Sequence, residues 1–232
     1  MSTEVKQPEV NVQKTTEEKV VASGQQFWSK NSKYITYVFA FLVLLIGGYF
    51  AYQNFYKAPA EAEAAEAIWP AQANFKIDSF SLALKGNGTK ANPGFLKIIK
   101  EHGGTKAGNL AKFYAGICYL QTSDFNNAIK YLEDFSSDQP ELRLRAAGCL
   151  GDAYAELGKN DKAAEYYKKA ATTFETDEMN SSEYLFRLAQ LYDKMGKSKE
   201  ALESFKQLKQ KFPTSMRARE VEKYLGKLGE LN

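Results

Sequence analysis

The chain has 232 residues, 44% of them hydrophobic and 25% charged, with a formal net charge of +3. This composition excludes a disordered chain and fits one globular domain with additions, and so small a charge does not point to a nucleic-acid binder. With one histidine, His102 in the run EHGGTK, and two cysteines lacking CxxC spacing, Cys118 and Cys149, no metal-ligand cluster and no cofactor are expected.

Residues 1–33 are polar and read as a cytoplasmic tail, mostly disordered, with a short helix near Phe27 and Trp28. Residues 34–56, YITYVFAFLVLLIGGYFAYQNFY, contain no charged side chain. As a helix they reach roughly 34 Å, enough to cross a bilayer with some tilt, and tyrosines stand at both ends where headgroups would lie. Lys14, Lys19, Lys30 and Lys33 precede this span, whereas Lys57 after it is followed by Glu61, Glu63 and Glu66. Lysines are retained on the cytoplasmic side, so the pattern predicts a single-pass protein with its amino terminus inside. In a bacterium the remainder would be periplasmic and the membrane the inner one. Ala58-Pro59-Ala60 has the small residues of a cleavage site, but the long apolar run, the long lead-in and the proline argue against a signal peptide.

Residues 57–107 predict a divergent helical repeat. The stretch 60–77 reads as a helix bent or interrupted at Pro70, and DSFSLAL as the start of a second helix with Ala83 at a small-residue position. KGNGTKANP breaks that helix and GFLKIIKEH resumes it. Cys118 and Cys149 follow in apolar helical surroundings that favour buried free thiols, with a disulfide left open outside the cytosol.

From residue 108 to 232 the chain repeats itself. Gly116, Tyr119 and Ala128 recur 35 residues later as Gly151, Tyr154 and Ala163, and again 38 residues further on as Ala189, Tyr192 and Ala201. Pro140, Glu175 and Pro213 close the three copies. Within a copy, Gly158 follows one helical stretch and Asp161 opens the next, which gives a helix, a tight turn and a helix. Residues 214–228 then form an apolar stripe of Val221, Tyr224, Leu225 and Leu228, a terminal capping helix with Thr214 as its expected N-cap.

This pattern resembles the tetratricopeptide repeat, W-x2-L-G-x2-Y followed by A-x3-F, A and P, with Lys112, Ala147 and Leu185 replacing the aromatic at the fourth position. The expected fold is all-α: a solenoid of antiparallel helix hairpins, one transmembrane helix ahead of it and a capping helix behind. The resemblance also implies a partner-binding inner face, lined by the second, fifth, ninth, twelfth and thirteenth positions of each first helix. Those positions are Leu110, Phe113, Ile117, Leu120 and Gln121, then Arg145, Gly148, Asp152, Ala155 and Glu156, then Glu183, Phe186, Gln190, Asp193 and Lys194. Phe113, Ile117 and Leu120 fit either an open apolar patch or core beneath the interrupted first repeat; Phe113 and Phe186 are the expected contact residues for a client. Phe113 and Ile117 stand where domains that clamp heat-shock chaperone tails resemble one another in carrying lysine and asparagine, which argues against that role.

The whole arrangement, with the phrase KAGNLAKFYAGICYLQ leading into the first clear repeat, resembles the YfgM-like family, ancillary subunits of the bacterial SecYEG translocon. The resemblance implies contact with SecYEG, with a membrane-anchored periplasmic prolyl isomerase chaperone and with emerging secreted polypeptides. An envelope-assembly scaffold recruiting cell-wall or outer-membrane machinery is the alternative. An enzyme is not expected. No serine, histidine and acid set is visible, Gly86-Asn87-Gly88 is a turn signal without a phosphate-binding motif, and the acidic residues alternate with lysines as on a solvated face.

Overall fold

The computed structural model describes residues 16–228, so the first part of the amino-terminal tail lies outside the described residues. Among the described residues there are helices and turns but no strand. The chain divides after Tyr56 into two compact units.

The first unit is one long helix, α1 (Thr16–Ala51), followed by a π-helical turn over Tyr52–Lys57. None of its most apolar stretch is buried within the chain, and the helix is long and apolar enough to cross a membrane. The helix expected near Phe27 and Trp28 extends back to Thr16, so that residues 16–33 are helical. Once the apolar run has formed a helix, each added residue gains a hydrogen bond without a new nucleus. No proline interrupts the lead-in from Thr16.

The second unit starts with α2 (Ala58–Lys76), which runs through Pro70 without interruption. Proline removes one N–H from the helix, but the carbonyl left without a donor belongs to Glu66, an exposed residue that water can reach. Two short helices follow, α3 (Phe80–Lys85) and α4 (Gly94–His102), split by the loop that the sequence indicates. The ends of that loop touch. A Cβ on Gly86 would lie 2.1 Å from the Asn92 carbonyl oxygen, and one on Gly94 would lie 2.3 Å from the Gly86 nitrogen. Both glycines have positive φ, so only this residue type lets the chain leave and re-enter at one point.

Three hairpins then stack in order: α5 (Lys106–Gln121) with α6 (Phe125–Glu133), α7 (Pro140–Glu156) with α8 (Asn160–Thr173), and α9 (Glu178–Lys194) with α10 (Ser198–Lys211). The hairpin turn is the same each time. Ser123, Gly158 and Gly196 take φ of 61°, 69° and 73°, and the next N–H returns to the carbonyl of Tyr119, Tyr154 or Tyr192 at 2.9 Å. Three of the six hairpin helices, α5, α6 and α9, are capped by side chains: Thr105, Asp124 and Asp177 accept from the backbone N–H three residues on. For α11 (Met216–Lys227) the cap is Ser215 rather than Thr214, whose hydroxyl instead donates to Glu178 Oε1 at 2.6 Å. Ser215 is the residue directly before the helix, and only from there does a hydroxyl reach the Ala218 N–H.

Small residues set the hairpin spacing. A Cβ on Gly116 would meet Leu132 at 2.5 Å, and one on Gly151 would meet the Tyr167 ring at 2.5 Å; in the third hairpin Ala189 and Phe205 are fully buried at the corresponding positions. Tyrosine pairs also recur at the repeat offset, Tyr119 stacked on Tyr131 at 5.5 Å and Tyr154 on Tyr166 at 5.4 Å. The core has two parts. One gathers Ala64, Ile68, Leu84, Phe95, Ile98 and Cys118 from α2 to α5, and the other extends from Phe113 to Leu225. Tyr114 joins them, with its ring 5.0 Å from Phe75, 5.3 Å from Phe95 and 5.7 Å from Phe113. Cys118 and Cys149 are unpaired, and burial pushes both thiols up to about 12.

Candidate binding surface

The positions expected to line the inner face divide into two groups. Gln121, Arg145, Glu156, Gln190 and Lys194 are exposed. Phe113 and Phe186, the expected client contacts, are only 2% and 3% exposed and belong to the core. Phe113 lies 5.2 Å from Phe135, in the connection after α6, and belongs with Leu132 to the cluster that continues through the second and third hairpins rather than to the cluster of the interrupted first repeat. Ile117 packs into the same cluster, Leu110 bridges both clusters, and Leu120 is half-buried. Phe186 is enclosed by Phe205, Tyr224 and the Arg217 guanidinium, which stands 4.8 Å over its ring. Side chains at the fifth position therefore point between adjacent first helices, where the next repeat covers them. Gly148 makes the same point in reverse: a Cβ there would lie 1.9 Å from Tyr184, which fills that space from α9.

The acidic positions form a ladder across the stack. Asp152 accepts from the Tyr167 hydroxyl at 2.7 Å and pairs with Arg187 at 2.6 Å; Arg187 also bonds Glu183 at 2.8 Å, and Glu183 in turn accepts from Arg217 of α11. Asp193 pairs with Lys227 at 2.6 Å, and Gln190 donates to the Tyr224 hydroxyl at 2.9 Å. Burial of Glu183 opposes its charge, but hydrogen bonds from Arg217 and Arg187 outweigh it and hold the carboxyl below its ordinary value. Burial, aided by the charge and hydrogen bond of Asp152, pushes the Tyr167 hydroxyl upward. At the third hairpin the candidate groove is thus occupied by α11 itself. The open remainder is a polar strip of Gln121, Arg145, Glu156 and Lys194.

Two clefts lie elsewhere, between successive second helices. One, of about 240 Å³, opens between α8 and α10 over Leu185, Leu188 and Tyr192; the other, of about 490 Å³, opens over Ala146, Ala147 and Leu150 beside Tyr166 and Phe135. They are equivalent places in the repeat, since Ala147 and Leu150 become Leu185 and Leu188 at the 38-residue offset. Periodicity marks these residues as apolar but does not show whether the facing helices close over them. The signal for Gly148 was available: a glycine stands where the neighbouring repeats carry Phe113 and Phe186.

A tetratricopeptide-repeat family model matches residues 142–209, which spans nearly all of the second and third hairpins. No curated protein matches the chain. Among solved structures, the crystal structure of BtubC (BKLC) from P. vanneervenii is similar at 17% identity and a TM-score of 0.42, over 74% of this chain and 65% of that one. The chain therefore spans just under two thirds of that neighbour's length. The tetratricopeptide-repeat match thus covers the second and third hairpins, the hairpin before them has the same turn and spacing, and α11 ends this all-helical stack.

Proposed function

We propose that the chain is a membrane-anchored scaffold or co-chaperone that works by binding proteins rather than by catalysis. The observation that supports this is the combination, in one chain, of an apolar helix with no cover of its own and a stack of repeat hairpins with an open polar strip. The lysine bias around the span orients the amino terminus to the cytoplasm and the solenoid to the periplasm. Its YfgM-like organisation makes the SecYEG translocon, an anchored periplasmic prolyl isomerase and emerging secreted chains the partners of first choice. Binding at a polar strip is weak for each contact, and tethering in the membrane supplies the effective concentration.

A photocrosslinking residue placed at Arg145 and at Glu156, both exposed, tests the reading in intact cells. Capture of translocon subunits, the prolyl isomerase or nascent secreted chains is the expected result. Capture of cell-wall or outer-membrane assembly proteins alone would move the assignment to an envelope scaffold. A reporter at the carboxyl end that is active only in the cytoplasm would overturn the topology.

A further inference from the structure

We infer that the outer face of α2, carrying Trp69 and followed by the exposed Ile77 just past its carboxyl end, rests on the headgroup layer of the lipid bilayer. Trp69 is 67% exposed and Ile77 70%; among the described residues of this unit the other exposed large apolar side chains are Leu82, close to them in the chain, and the methionines Met179 and Met216 at the starts of α9 and α11. Around Trp69 the same face presents Ala58, Ala62, Ala65 and Ala73, all exposed, with Glu66 at its edge. The other end of the solenoid is finished differently: α11 turns Arg219, Glu220, Glu222 and Lys223 outward. A repeat stack needs a polar outer face at each end to remain soluble, so the apolar end calls for a cover.

The chain's own anchor indicates which cover it is. This inference rests on α1 being that anchor, as proposed above. Trp69 follows Lys57 by twelve residues of mostly helical chain, so it lies within about 18 Å of the point where the span ends. A second copy or a partner protein has to arrive by diffusion, whereas the bilayer is always within that reach. A π-helical turn over Tyr52–Lys57 and Pro59 in the first turn of α2 mark the end of the span. The chemistry of the face suits headgroups. Tryptophan favours the interface, and Lys57 and Lys76 bracket the apolar residues with long stems that keep their charges in water. Two of the three nearby acids are engaged within the unit, Glu61 with the Lys106 N–H at 2.9 Å and Glu63 with Lys90 at 3.8 Å.

The test uses the full chain in phosphatidylethanolamine and phosphatidylglycerol vesicles. Trp28 and Trp69 are the two tryptophans of the sequence, so the Trp28→Phe variant reports on Trp69 alone. Flotation with the vesicles establishes anchoring, and acyl chains brominated close to the headgroup then quench any tryptophan in the interface. The expected result is blue-shifted Trp69 emission that is lost in the brominated vesicles. Floating protein whose emission is red-shifted and indifferent to bromine would overturn lipid docking and leave the anchor intact. Blue-shifted emission that bromine does not quench and that reddens as protein is diluted in lipid would overturn it in favour of a second copy. Failure to float would overturn the anchor and the docking together.

Discussion

Gly151→Ala is expected to destabilise the second hairpin strongly, although alanine is the better helix former. The added methyl would stand 2.5 Å from Cδ1 and 2.6 Å from Cε1 of Tyr167. Carbon atoms in contact prefer about 3.5–4.0 Å, so the ring must retreat by roughly 1 Å. It cannot do so freely, because its hydroxyl is held by Asp152 at 2.7 Å. Retreat stretches that bond beyond useful length and loses about 1.5–3 kcal/mol, while residual overpacking costs about 1–3 kcal/mol. The gain from replacing glycine inside a helix is about 1 kcal/mol, which leaves a net loss of about 1.5–5 kcal/mol. Equilibrium urea unfolding of the full chain in detergent, followed by far-ultraviolet circular dichroism, measures it. The partner variant Tyr167→Ala removes the obstacle, so Gly151→Ala in that background should cost almost nothing. Unchanged or increased stability of the single variant would refute the close-approach reasoning, as would an undiminished cost in the double variant.

Phe113→Ala and Phe186→Ala should each lose about 3–5 kcal/mol as core truncations, and the pair should abolish the helical thermal transition; a cooperative melt close to that of the parent would return these rings to the surface. Ser123→Gly should raise stability by about 1 kcal/mol, since serine occupies a left-handed turn position that the other two hairpins give to glycine, while Gly158→Ala and Gly196→Ala should lower it by a similar amount in the same unfolding assay. Arg217→Ala should speed amide exchange in α11 about fivefold, corresponding to about 1 kcal/mol after allowance for solvent screening around Glu183. Because the folded Glu183 carboxyl titrates below its ordinary value, its contribution is whole above about pH 4.3 and is lost as pH falls through the lower folded value. Exchange in α11 should therefore rise on acidification, and less so in Glu183→Gln. Cys118 and Cys149 should resist maleimide at neutral pH until the chain unfolds, as thiols pushed up to about 12 hold almost no thiolate.

The repeat was legible in the sequence because its determinants are local. A glycine or alanine at one helix crossing, a tyrosine three residues on, a left-handed turn residue and an alanine in the next helix each act within one hairpin, so their spacing survives in the linear order. The interruption at KGNGTKANP was legible for the same reason, as glycines and proline punctuate the chain wherever they stand. Helix within the lead-in was less visible, because its own composition is polar and its helicity is continuous with that of the apolar run beside it.

The binding surface was not legible to the same degree. Sequence position shows that Phe113, Phe186, Glu183 and Asp193 face the same general direction on their helices; it does not show that the following helix arrives to cover them. That depends on contacts 34 or more residues apart, such as Glu183 with Arg217 and Asp193 with Lys227. An apolar residue on a helix face has the same pattern whether a neighbour packs on it or water does. The sequence by itself determined a stack of hairpins behind an apolar helix, and only the packing of one hairpin on the next decided which side chains remain to meet a partner.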